Sequence, residues 1–190
     1  MTVRVLLACV FCSLCALARA EAVAVCYDYG CSRKAAATFS AHDLAELAAL
    51  LQRGEDAAGE RALIGRAIGR MYAIVATQTP IWRDRGRNSL DERNLEGAMD
   101  CIDHATNSTA FLAILERAGM LRFHRVGEPA LRFAFLFLGE HWSATIGERD
   151  SADRFAVDGW FFDPGTPAAV VPLAAWTAGF DPAAASTAAQ

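Results

Sequence analysis

HWSATIGERDSADRFAVD, spanning His141–Asp158, is the stretch from which the architecture follows. Two runs of apolar, aromatic and β-branched residues, His141–Gly147 and Arg154 onward, flank the polar segment GERDSAD. This pattern predicts two antiparallel strands joined by a hairpin. With His141 opposite Asp158, Gly147 faces Ala152 and the connection is Glu148–Ser151, a common hairpin length. Opposed residues share one face of a sheet, about 5 Å apart at Cβ. The register therefore sets an imidazole beside a carboxylate.

Outward from this hairpin the periodicity divides the chain. Leu121–Val126, Leu131–Leu138 and Arg154–Phe162 read as strands, with a short fifth at Val170–Val171. Upstream the period is helical. Ser40 and Asp43 form a capping-box pattern ahead of a helix to about Arg53, with Leu44, Leu47, Ala48 and Leu51 on one face. A second helix, about Ala57 to Gln78, carries Leu63, Ile64, Ala67, Ile68, Met71, Tyr72 and Val75, with Gly65 and Gly69 suited to a close helix contact. A polar, aperiodic loop follows Pro80. A third helix runs from Cys101 to about Ala118, with Asp100 as N-cap and Gly119 just beyond its end. The segment before Ser40 reads as loop. Helices first and an antiparallel sheet after them predict an α+β fold, as one domain over residues 21–180, with an Ala/Ser/Thr-rich disordered tail at residues 181–190.

Residues 1–20 carry a short basic start, an apolar stretch to Ala18 and an Ala-Arg-Ala site, the pattern of a removed signal peptide. No later segment is long and apolar enough to span a bilayer. The formal net charge is −4, and it becomes more negative once Arg4 and Arg19 leave with the leader. That argues against nucleic acid as a partner. A lone lysine, Lys34, among many arginines and alanines suggests a bacterial coding bias, and so a periplasmic or secreted address. Cys9, Cys12 and Cys15 fall in the leader. Of the remaining three, Cys26 and Cys31 are spaced to close a small disulfide loop in an oxidising compartment, leaving Cys101 as a free thiol.

Cys101 opens a helix, where unpaired amides and the dipole favour a thiolate, while the nearby Asp100 and Asp103 oppose it. A histidine is needed beside the sulfur. His42 reads as solvated and His124 as a partly buried strand residue. His104 lies three residues on, on the same helix face, and can approach the sulfur. His141 has Asp158 to orient it, which completes a Cys101–His141–Asp158 triad. The oxyanion would take the Cys101 amide and one side-chain donor among Gln78, Asn88 and Asn94. Trp142, Trp160 and Trp176 read either as core aromatics or as the lining of a groove.

MDCIDHATNSTAFL resembles the active-site helix of periplasmic transglutaminase-like cysteine proteinases, where Asp-Cys-Glu-Asp-Tyr-Ala is usual. EHWSATI and FAVDGWF resemble that family's His and Asp strands, so the likeness covers about Gly97–Phe162. The resemblance implies a papain/transglutaminase-like fold and a thiol hydrolase acting on peptide or isopeptide bonds of a peptide or protein substrate, without a required cofactor. In that family acids around the cysteine are associated with calcium. Asp100 and Asp103 match them, and Ile102 stands where the family has an acid. Two other functions fit the same residues: a non-catalytic peptide- or partner-binding protein on this scaffold, and a zinc protein using Cys101, His104 and either His124 or His141.

Overall fold

The computed structural model of the chain describes residues 19–88, 90–135 and 138–187. Residues 1–18 of the expected leader lie outside them. The chain folds as α+β with two antiparallel sheets. It opens with a hairpin, β1 (Glu21–Tyr27) against β2 (Arg33–Phe39), where the sequence predicts a loop. Only Val25, Cys26, Tyr27, Ala37 and Phe39 of this hairpin are buried. The alanines between them carry little strand propensity, so the apolar alternation is weak.

Three helices follow: α1 (Ala41–Leu51), α2 (Ala57–Ala76) and α3 (Cys101–Arg117). Their starts agree with the sequence because each has a side-chain cap. Ser40 and Asp43 complete the capping box of α1, Asp56 caps α2, and Asp100 with Asp103 forms a second box at α3. The loop between α2 and α3 contains two 3-10 turns, Pro80–Arg83 and Leu90–Asn94. Phe111 of α3 meets Phe39 of the hairpin and Tyr72 of α2 edge-on, at 5.6 and 5.0 Å between ring centres. One apolar core thus joins the N-terminal hairpin, the helices and the second sheet.

The second sheet has the order β3 (His124–Phe135), β4 (Leu138–Glu148), β5 (Arg154–Asp158), β6 (Ala169–Pro172). Two predicted strands, Leu121–Val126 and Leu131–Leu138, are largely one: Gly127–Pro129 makes a register shift within β3 instead of a turn. An edge strand tolerates proline at such a shift. The β4–β5 register also differs from the predicted one. Gly147 faces Arg154 and Ala144 faces Val157, a slide of two residues that keeps every side chain on its expected face. Glu148 N–H donates to Asp153 O at 2.9 Å, so the connection is residues 149–152.

The chain ends in α4 (Leu173–Thr177) and α5 (Pro182–Thr187). The tail predicted as disordered from Asp181 is therefore helical up to residue 187, and Asp181 pairs with Arg87. Residues 188–190 lie outside the described residues. No helix among the described residues is long and apolar enough to cross a membrane.

Gly65 and Gly69 of α2 do admit a close neighbour, but it is the segment before β6 and not a helix. A Cβ at Gly65 would stand 2.5 Å from Ala168 O, and at Gly69 2.6 Å from Thr166 O. Gly69→Ala should thus lower stability: overpacking against backbone costs about 1–3 kcal/mol, more than the roughly 1 kcal/mol gained in helix propensity. Urea denaturation of the two proteins measures the balance.

Candidate active site

The position of Cys101 begins with the β1–β2 turn. Asp28, Tyr29, Gly30 and Cys31 are all left-handed, with φ of 63°, 62°, 64° and 56°. For three non-glycine residues this conformation is costly. It is held from two sides. Cys26 and Cys31 are joined by the expected disulfide, and the turn's amides face α3. Gly30 N–H donates to Asp100 Oδ2 at 2.9 Å and Cys31 N–H to Asp103 Oδ1 at 2.7 Å. Asp28 N–H donates to Ala98 O, and Asp28 Oδ1 accepts from Gly97 N–H. Asn107, buried in α3, holds both backbone groups of Cys26 with its side-chain amide.

The capping box takes the other oxygens: Asp100 Oδ1 accepts from Asp103 N–H and Asp103 Oδ2 from Asp100 N–H. Each of the four carboxylate oxygens of Asp100 and Asp103 therefore accepts one amide hydrogen, and each keeps a second lone pair. Asp103 is fully buried, and burial with the charge of Asp100 pushes its carboxyl up to about 7.

The cysteine thereby occupies the first turn of α3 against β4. Its Sγ lies 3.8 Å from Glu140 O, and the amide of Trp142 also faces it. Pairing of β4 with β5 is confined to Ala144–Gly147, so the strand edge around His141 is open on that side and α3 docks there. Cys101 and His141 line one cavity of about 780 Å³, together with Tyr29, Asn88, Trp160 and Phe180 among others. His141 Nε2 is 2.7 Å from Asp158 Oδ2, despite the slid register, because same-face diagonal neighbours remain within side-chain reach. Asp158 is 1% exposed. It accepts two more bonds, from Trp160 N–H and from the indole N–H of Trp176.

The other histidines go elsewhere. His104 does not approach the sulfur. It turns inward, with Nε2 3.1 Å from Asp84 Oδ2 and Nδ1 buried without a partner among the described residues. His124 is fully buried against Glu60 at 2.8 Å, not partly exposed. Burial opposes the charge of Glu60, yet bonds from His124 and the amides of Arg122 and Phe123 hold its carboxyl below the usual range. His42 is exposed beside Glu46. The zinc set of Cys101, His104 and His124 or His141 is thus not brought together. The one grouping of metal-ligating side chains found among the described residues is Cys26, Cys31 and Asp103, where both sulfurs are in the disulfide. Of the side-chain oxyanion donors, Asn88 alone borders the cavity, and its amide nitrogen already donates to Asp84 and Met99 O. Gln78 binds Thr38 instead.

The surroundings of Cys101 disfavour its thiolate. Burial, with the charges of Asp100, Asp158 and Glu140, pushes the thiol up to about 11, and the Trp142 amide offsets this only in part. The dipole-lowered thiol anticipated for a helix start is overcome by desolvation. The sequence offers Trp176 only as a core or groove aromatic, and nothing in it singles out Arg132. Their role depends on contacts formed only when α4 folds back on the sheet. No protein-family model matches the chain, no curated protein matches it, and no solved structure matches it.

Two measurements follow from this geometry. Iodoacetamide should alkylate Cys101 slowly at neutral pH and faster as pH climbs toward 11, since only the thiolate reacts. Glu140→Gln removes one of the raising charges and should move that profile to lower pH. Separately, Cys26→Ser with Cys31→Ser should cost about 2 kcal/mol of stability in the loop-entropy view of so short a loop. It should also accelerate amide exchange at Gly30 and Cys31, whose bonds to α3 the disulfide supports.

Proposed function

We propose that the protein is a thiol hydrolase acting on peptide or isopeptide bonds through an acyl-enzyme. The observation that carries this is the 2.7 Å His141–Asp158 contact at the wall of the cavity that Cys101 also lines. Asp158 occupies Nε2, which leaves Nδ1 to exchange a proton with the sulfur. His141 acts as general base during attack, taking the proton of a thiol that burial disfavours as the thiolate. Sγ bonds to the carbonyl carbon as its proton passes to His141. The oxyanion takes the Cys101 amide, a first-turn donor with no intrahelical acceptor. Collapse breaks the C–N bond, and His141 gives the proton to the leaving amine. Water, or a second amine, then attacks the thioester with His141 again as base, and the acyl product leaves as the thiol is restored.

The order of elements supports a papain/transglutaminase-like fold: a cysteine at a helix start, then a histidine and an aspartate on successive antiparallel strands. A periplasmic or secreted location is supported by the Cys26–Cys31 disulfide together with the leader-like first residues. The protonated thiol favours a second function, a peptide-binding protein that performs no chemistry.

Incubation with p-nitrophenyl acetate, followed by mass mapping, separates the two. The hydrolase should acquire an acetyl group on Cys101. His141→Ala should slow this by about 10²–10⁴-fold, the usual range for a lost general base. Asp158→Asn should slow it too, through the imidazole's orientation. Acetylation at the same rate in His141→Ala, or none in the unaltered protein, would exclude the hydrolase.

A further inference from the structure

A carboxylate as buried as Asp158 requires hydrogen-bond donors around it. It has three. Trp160 N–H reaches Oδ1 at 3.1 Å, while His141 Nε2 and Trp176 Nε1 reach the same Oδ2 at 2.7 and 2.8 Å. Trp176 is fully buried, and its ring centre is 5.6 Å from that of His141 at 30°. Arg132 of β3, the cross-strand partner of His141, places its guanidinium 4.6 Å from the Trp176 ring centre. The same guanidinium donates to the backbone oxygens of Trp176 and Phe180.

Building on the thiol-hydrolase function above, we propose that Trp176 is a positioning residue of the Cys101–His141–Asp158 centre: its indole N–H fixes the Asp158 oxygen that His141 binds, and Arg132 holds the indole in place. With Oδ1 tied to Trp160 and Oδ2 to Trp176, the carboxylate cannot turn about its Cβ–Cγ bond, so Oδ2 stays aimed at His141. An indole nitrogen is a donor only. It therefore favours the ionised carboxylate, the form that steadies an imidazolium during proton transfer. Arg132 works at one remove. It touches neither His141 nor Asp158 by hydrogen bond, but it pins both ends of the segment that carries the indole.

The groups that sense the Asp158 charge are His141 on β4, Arg132 on β3, Cys101 on α3 and Tyr72 on α2. The Arg132 guanidinium supplies positive charge to this set. Without the indole N–H the carboxylate is less well compensated and holds a proton at His141 or on itself more readily. The acidic limb of the pH–rate profile then moves to higher pH.

The test uses the full chain with 3-benzothienylalanine at position 176, which keeps the shape of tryptophan and replaces the N–H by sulfur. Trp176→Phe serves as a second variant. Acetylation of Cys101 by p-nitrophenyl acetate should slow by about 10- to 100-fold, the usual worth of a hydrogen bond to a charged group, with its acidic limb displaced upward. The downfield His141 ring N–H proton signal should shift. Arg132→Met should slow acetylation in the natural background and add nothing further in the benzothienyl protein. An unmoved acidic limb together with an unmoved His141 signal would overturn the proposal, even where the melting temperature falls. The proton signal is read without any reagent. A protein that never acetylates Cys101 would thus fail as a hydrolase while the signal still decides the place of Trp176.

Discussion

Two carboxylates side by side at the start of α3 must be neutralised by something, and four backbone amides do it. Asp100 and Asp103 take one amide each from the other and one each from the β1–β2 turn. Buried acids are tolerated only when their lone pairs are filled. Filling them here requires the turn to present two successive amides in one direction, which is what its left-handed residues accomplish. The N-terminal hairpin is thus part of the cysteine helix in an energetic sense. The helix start, and with it the place of Cys101, depends on a turn about seventy residues away in sequence.

The sheet makes a complementary arrangement. β5 stops at Asp158, and the β4 backbone around His141 is left without a strand neighbour on that side. An open strand edge needs partners for its N–H and C=O groups. The sulfur of Cys101 meets two of them, Glu140 O and the Trp142 amide, which flank His141. The short fifth strand and the docked helix are one solution to the same requirement, and the cavity lies where they meet. α4 closes the far side by sending Trp176 to the oxygen of Asp158 that His141 also binds.

Much of this was legible in the sequence, for local reasons. Ser40, Asp56 and Asp100 mark helix starts because capping is a matter of three or four residues. Cys26 and Cys31 are close enough to pair on spacing alone. The His141–Asp158 contact was also accessible, since a slide of two residues preserves faces and long side chains absorb the difference. What failed was non-local. β1 and β2 carry short alanines and charged residues outside their buried positions, and the hairpin is tied to α3 by Phe39 on Phe111 and by Asn107 on Cys26. His104 shares a helix face with Cys101, but its direction is set by Asp84 in a loop without period. The thiol is pushed up by burial first, and the charges that add to this include Asp158 and Glu140 as well as Asp100. No spacing rule connects the first two of these to position 101.

A thiol kept protonated has a chemical durability that an activated one lacks. Peroxide, mixed disulfides and other electrophiles attack the thiolate, and the climb from sulfenic to irreversible sulfonic acid begins there. Any surroundings that preserve the Cys26–Cys31 disulfide expose a spare thiol to the same oxidants. Burial and the charges of Asp100, Asp158 and Glu140 disfavour the thiolate at Cys101. Cys101, unpaired among the described residues, thus stands at the edge of an open cavity with its sulfur in the form least open to oxidation.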